Sequence, residues 1–157
     1  RVENLWRIQD DFVPPLEAAW FGTIDRFKTY AVSPGWSYAT DDHDRFFGDA
    51  TRRVRIANTT EYLIWETPNL AHFHLTVYAS KEGVQEVLLL EVSETGQTWV
   101  EVPFSVHQSS RGDWILYDLQ GEPPRTLTVN YFRLTVQEGA FLADEIQLGR
   151  AEFQGRH

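Results

Sequence analysis

His72-Phe73-His74-Leu75-Thr76-Val77-Tyr78-Ala79 alternates apolar and polar residues without a break. A period of two puts Phe73, Leu75, Val77 and Ala79 on one side of an extended chain and His72, His74, Thr76 and Tyr78 on the other. That is the pattern of a strand with one face in a core and one face toward water. Working outward, Gln85 to Val92 reads as a buried strand centred on Leu88-Leu89-Leu90. Thr98 to Val106 alternates Trp99, Glu101 and Pro103 against Val100, Val102, Phe104 and Val106, and the proline predicts an edge position or a bulge. Further strands are predicted over Phe27 to Val32, Arg52 to Ala57, Glu61 to Glu66, Trp114 to Leu119, Thr126 to Val136 and Glu145 to Phe153. About nine strands at this spacing predict an all-β fold, a two-sheet antiparallel β-sandwich. Only Pro15 to Phe21 has the pattern for a helical turn or two. Because the strands start after Asp10-Asp11-Phe12, residues 1–9 are expected to be a connector and residues 10–157 a single domain.

Composition narrows the function. The chain has 157 residues and no methionine, so Arg1 is not expected to be a natural start, and the segment reads as a domain of a longer polypeptide. An apolar content of 42% with 14% aromatics is enough for a core without covalent staples. The absence of cysteine excludes a disulfide scaffold and a thiolate metal site. A net charge of -9 argues against nucleic acid, which needs a basic stripe, and against an anionic membrane. The uncharged apolar stretch Val87 to Leu90 is far too short to span a bilayer. There is no nucleophile elbow, phosphate loop or His-Glu-x-x-His stretch, and no spacing pairs two carboxylates for glycoside hydrolysis, so no catalysis is expected.

The order of short motifs carries more than any one of them. Asp10-Asp11-Phe12, Lys28-Thr29-Tyr30, Gly48-Asp49-Ala50-Thr51-Arg52 and Glu61-Tyr62-Leu63-Ile64-Trp65 are followed by Ser93-Glu94-Thr95-Gly96-Gln97-Thr98-Trp99 and Asp113-Trp114-Ile115-Leu116-Tyr117. Tyr131-Phe132-Arg133-Leu134-Thr135-Val136 and Ile146-Gln147-Leu148-Gly149-Arg150 complete the series. Over residues 10 to 153 this series resembles the galactose-binding-like β-sandwich modules that accompany bacterial glycoside hydrolases and polysaccharide lyases. The resemblance implies a jelly roll, secretion to the extracellular space, a catalytic domain in the same parent chain, sugar binding by loops at one end, and a structural calcium. A monomer is expected. In that fold the first and last strands are neighbours, which would bring Asp10 or Asp11 near Asp144 or Glu145. Asp11 and Asp144 are the expected calcium ligands, as oxygen donors suit that ion. His72 and His74 have a spacing that can ligate zinc or copper but lack a clear third ligand.

Sugar binding asks for two things. The C–H faces of a pyranose stack on aromatic rings, and its hydroxyls pair with planar groups such as guanidinium and carboxylate. The richest segment for both runs from Ser33 to Arg53, with Trp36, Tyr38, Asp42, His43, Arg45, Asp49 and Arg52. His107 to Asp113 is a second polar stretch, whose Arg111 and Asp113 could close over the same end of the sandwich. These nine residues are the expected ligand contacts. Two alternatives stand beside them: Trp36 and Tyr38, two apart on one strand, could belong to the core, and Gly48-Asp49 with Arg52 could be a structural turn. Trp114 and Tyr117 read as core aromatics, and Trp99 as the buried anchor of a hairpin at Glu94 to Trp99. The cluster of Arg45, Arg52, Arg53 and Arg55 could meet a carboxylated sugar. The competing function is a structural or adhesive sandwich that packs on a neighbouring domain and binds no sugar.

Overall fold

A computed structural model of the chain describes residues 5–14, 16–18, 22–24 and 28–157. Along the sequence it places β1 (Leu5–Asp10), β2 (Leu16–Ala18), β3 (Gly22–Ile24), β4 (Ala31–Val32), β5 (Trp36–Ala39), β6 (Arg52–Arg55) and β7 (Glu61–Glu66). The second half holds β8 (Leu70–Ala79), β9 (Leu88–Ser93), β10 (Val100–Glu101), β11 (Ser105–Arg111), β12 (Trp114–Gly121), β13 (Tyr131–Val136) and β14 (Ile146–Arg156). They form a two-sheet antiparallel β-sandwich. One sheet runs β11-β12-β8-β14-β6-β5 with β1 added on β14, and the other runs β10-β9-β13-β7-β4.

The alternation in β8 explains why it is central. Phe73, Leu75, Val77 and Ala79 are buried against Leu63 and Trp65 of β7, Leu90 and Val92 of β9, and Phe132 and Leu134 of β13. Tyr117 and Leu119 of β12 and Leu148, Ala151 and Phe153 of β14 join them. Burying each such side chain contributes roughly 1.5–3 kcal/mol, and together they oppose the entropy of ordering the chain. Trp65 is fully buried, and its indole N–H donates to Asp10 Oδ2 at 3.0 Å. Asp10 Oδ1 accepts from the Phe12 amide at 3.0 Å, which turns Phe12 through a positive φ of 54° into the core beside Trp65. The Asp10-Asp11-Phe12 motif is thus a device for closing the core.

Several boundaries differ from the sequence reading. Leu5 to Asp10, within the expected connector, is strand β1, paired antiparallel with β14 from Arg156 to Ala151. Its signal is weak because Leu5 and Arg7 both face outward at a sheet edge. Within the expected helical turn, Leu16–Ala18 is a strand hydrogen-bonded to Gly22–Ile24; Pro15 and residues 19–21 lie outside the described residues. Of Phe27 to Val32, Phe27 lies outside them and only Ala31–Val32 is strand. Thr98 to Val106 is two strands: β10 pairs with β9 in one sheet and β11 with β12 in the other. Pro103 sits at the crossover, where a missing N–H costs no ladder bond.

Candidate functional site

On the outer face of the larger sheet, the 3₁₀ turn His43–Phe46 lies over β8 and β12. Asp42 and Phe47 bracket it, both with positive φ (50° and 58°), and the reversal drives Phe46 down onto the sheet. Phe46 is 3% exposed and packs on Trp114 at 4.6 Å and Tyr78 at 5.6 Å between ring centroids. That small satellite core contributes about 2 kcal/mol from the Phe46 ring alone.

Arg52 fastens the turn from its other side. Its Nε donates to Gln147 Oε1 at 2.8 Å, Nη1 to the Asp49 carbonyl at 2.6 Å, and Nη2 to the Asp41 carbonyl at 2.5 Å and Asp41 Oδ1 at 3.2 Å. The guanidinium also lies 3.9 Å from the Phe46 ring centre. With its side chain 0% exposed, Arg52 is a staple between loop and sheet, and the expected ligand contact there gives way to the structural alternative. Burial lowers its pKa, and Asp49 and Asp41 oppose that shift.

Trp36 and Tyr38 do not reach this site. In β5 they pair with Arg55 and Arg53 of β6, whose side chains are buried. Trp36 packs against the core and donates its indole N–H to Ser33 Oγ and the Tyr62 carbonyl, both at 3.1 Å. Tyr38 accepts from Arg53 Nη1 at 2.9 Å and lies under its guanidinium. Both rings are half-buried; Trp36 packs against the core, as the alternative weighed above has it, and Tyr38 is held by Arg53.

Of the other expected contacts, Arg45, Arg111 and Asp113 are brought together at one pocket, while Asp42 and His43 line neither it nor the one across the turn. The tip of the β11–β12 hairpin, Arg111-Gly112-Asp113, meets the 3₁₀ turn, and with Trp114, Asp44 and Arg45 it lines an open pocket of about 280 Å³. Gly112 has a φ of 58°, the left-handed conformation that a tight hairpin tip needs. Arg111 carries no ion pair among the described residues, and Arg45 stands 3.9 Å from Asp42 at the exposed surface. His43 is exposed beside Asp44 at 3.5 Å, outside the pocket lining. Trp114 corrects the sequence reading. It faces outward on β12, half-buried, while Tyr117 is fully buried in the core. Trp114 and Tyr117 lie three apart, so in a strand they point to opposite sides, and parity alone separates them.

A second pocket of about 400 Å³ lies across the turn, lined by Asp11, Phe47, Asp49, Thr51, Tyr78 and Arg150 among others. Asp49 accepts from Tyr78 Oη at 3.0 Å and from the Thr51 amide at 3.2 Å. Burial raises the pKa of Asp49, and those hydrogen bonds offset only part of the shift. Tyr78 is likewise raised, by burial and by the Asp49 charge. Gly149 makes this arrangement possible: a Cβ there would stand 2.5 Å from Tyr78 Cε2 and 2.6 Å from Asp49 Oδ2.

Asp11 and Asp144 are not neighbours. β1 and β14 do pair, but Asp10 stands opposite Ala151, while Asp144 lies in the 3₁₀ turn before β14, whose first residue Ile146 is already about 16 Å along the strand from Ala151. Asp11 instead meets Arg150 at 3.3 Å, and the Asp144 carbonyl accepts from Gln147. Each of the two residues is thus engaged elsewhere, Asp11 with Arg150 and Asp144 with Gln147. No group of three His, Asp or Glu among the described residues is arranged to hold a metal. His74 is committed to Glu152 and Asp118, its Nδ1 and Nε2 at 3.0 and 2.9 Å from their oxygens. Trp99, expected beneath its hairpin, is half-buried under the Arg133 guanidinium at 4.3 Å, and Arg133 pairs with Glu91. The hairpin itself is closed by Ser93 Oγ, which accepts from the Thr95 and Gly96 amides.

No family model and no curated protein matches the chain. The geometry of the sites is therefore what bears on function.

Proposed function

We propose that this domain is a non-catalytic saccharide-binding module of the galactose-binding-like type, which holds a polysaccharide for an attached, secreted polysaccharide-degrading enzyme. One observation carries the reading: the outward-facing Trp114 lines an open, largely apolar pocket together with Asp44, Arg45, Arg111, Gly112 and Asp113, residues whose charged groups lie around an aromatic floor. An aromatic face flanked by planar donors and acceptors is what a pyranose ring requires, C–H groups on one side and hydroxyls around its edge. The pocket sits on the rim of a rigid sandwich, with its loop held down by Phe46 and Arg52, so little order is lost on binding. The motif series over residues 10 to 153 supports the same reading.

A glycan array probed with the isolated domain, followed by electrophoresis through gels containing the hits, tests it. Retardation in at least one gel, weakened by Arg111→Ala, is the expected result. Normal migration in every gel with no array signal would overturn it in favour of a scaffold domain. New reducing ends or unsaturated products on incubation with soluble polysaccharides would overturn the non-catalytic part.

A further inference from the structure

The turn at 43–51 contributes to two pockets in succession. Asp44 and Arg45 line the pocket with Trp114, while Phe47, Gly48, Asp49, Ala50 and Thr51 line the one with Asp11 and Arg150. Phe47 links them. Its ring lies nearly parallel to Tyr78 of the second pocket, at 16° and 5.9 Å, and the Arg111 guanidinium of the first pocket lies 5.9 Å from its ring centre. The first pocket is set over β11–β12 and the second over β8–β14, the next two strands of the sheet, so about 10 Å separates the two strand pairs. That span exceeds a single sugar ring.

The second pocket has its own recognition chemistry. Arg150 and Asp11 form an ion pair at 3.3 Å, each side chain about half exposed (48% and 47%), so hydroxyls can insert between them. Asp49 presents a partly desolvated carboxylate, which accepts hydrogen bonds more strongly than one in water. No cation stands in excess there, because the single arginine is matched by two carboxylates, which favours neutral hydroxyl-rich sugars over uronates.

We propose that the two pockets are subsites of one cleft, and that the ligand is an internal stretch of a neutral polysaccharide lying across Phe47, rather than one terminal sugar. This rests on the saccharide-binding reading above. Two linked subsites bind with an effective concentration that a single sugar cannot exploit, so affinity depends on chain length.

Calorimetric titration with cello-, xylo- and manno-oligosaccharides of one to six units, each also with its reducing end converted to the alditol, tests the proposal. In the series that binds, affinity is expected to rise at least about tenfold from the shortest to the longest member, with no effect of end reduction on the longest. Arg150→Ala should remove that gain and leave short members unchanged, and Asp11→Asn, which keeps shape and removes the ion pair, should reduce it. Melting temperatures of both variants serve as the folding control. Length-independent binding, or a gain that survives both variants, would overturn the two-subsite proposal while leaving saccharide binding intact. No heat with any probe, together with no retardation in any polysaccharide gel, would overturn both.

Discussion

The β5–β6 edge and the rim over β12 are built from the same residue types and serve opposite ends. At the edge, Trp36 and Tyr38 lie beside Arg53 and Arg55, and the guanidinium of Arg55 donates to the Thr59, Phe141 and Leu142 carbonyls. At the rim, Trp114 and Phe47 lie beside Arg45 and Arg111, whose charged ends reach solvent. An arginine that spends its donors on backbone carbonyls holds the fold together. One that does not is free for a ligand. The carboxylates divide the same way. Burial would raise Glu61 at the edge, but hydrogen bonds from Thr59, Ser33 and the Gly35 amide, with Arg55 nearby, bring it below the ordinary value. Asp49 at the rim is raised by burial, with fewer donors to oppose it.

The contrast is broken most forcefully at Arg52, the one rim arginine that behaves like those of the edge. Arg52→Ala leaves Gln147 Oε1 and the Asp41 and Asp49 carbonyls unpaired and is expected to cost about 4 kcal/mol. Chemical denaturation measures it, and a loss below about 1 kcal/mol would show that Arg52 is no staple. Trp36→Ala should cost about 2 kcal/mol, less than for a fully buried tryptophan, and leave polysaccharide retention intact in the folded fraction. Retention that falls while stability holds would return Trp36 to the binding surface.

Arg111→Ala should show the reverse. Its melting temperature is expected within about a degree of the parent, since exposed substitutions rarely exceed ±0.5 kcal/mol, and saccharide affinity should drop about tenfold. Equal affinity in the two proteins would remove Arg111 from the site.

The smallest effect is one of pH. Stability from a lowered carboxyl is present above its unfolded value, 4.5 for Glu61, and is lost as pH falls through the folded value. For the raised Asp49 the contribution is present below 3.8 and lost as pH rises through the folded value. Glu61→Gln should therefore melt below the parent at pH 7, with the gap closing in acid. Asp49→Asn, which keeps an acceptor for Tyr78, should melt at or above the parent at pH 7, and its advantage should vanish near pH 3. Melting curves that move in parallel for both variants would contradict the division between edge and rim.

Strand periodicity made the sandwich legible. β7 coincides with Glu61 to Glu66, and β8 has the inward and outward residues its alternation implies. The edges were less legible, because β1 gains its order from backbone pairing with β14, and pairing leaves no apolar signature in a strand exposed on one side. For the candidate site, residue types alone named Arg45, Arg111 and Asp113, which the fold brings to one pocket. They could not separate Arg52 from Arg45, because burial is set by Phe46 and Gln147, which reach Arg52 only through tertiary structure. Trp114 was legible in principle, since its offset of three from the buried Tyr117 places it on the opposite face.

The most direct test of the rim as the saccharide site is an amide NMR titration of the domain with an oligosaccharide selected on the array. Shifts confined to residues 9–13, 44–51, 78, 111–114 and 149–150 are the expected result; shifts centred on Trp36 and Tyr38, or on the outer face of the smaller sheet, would contradict it.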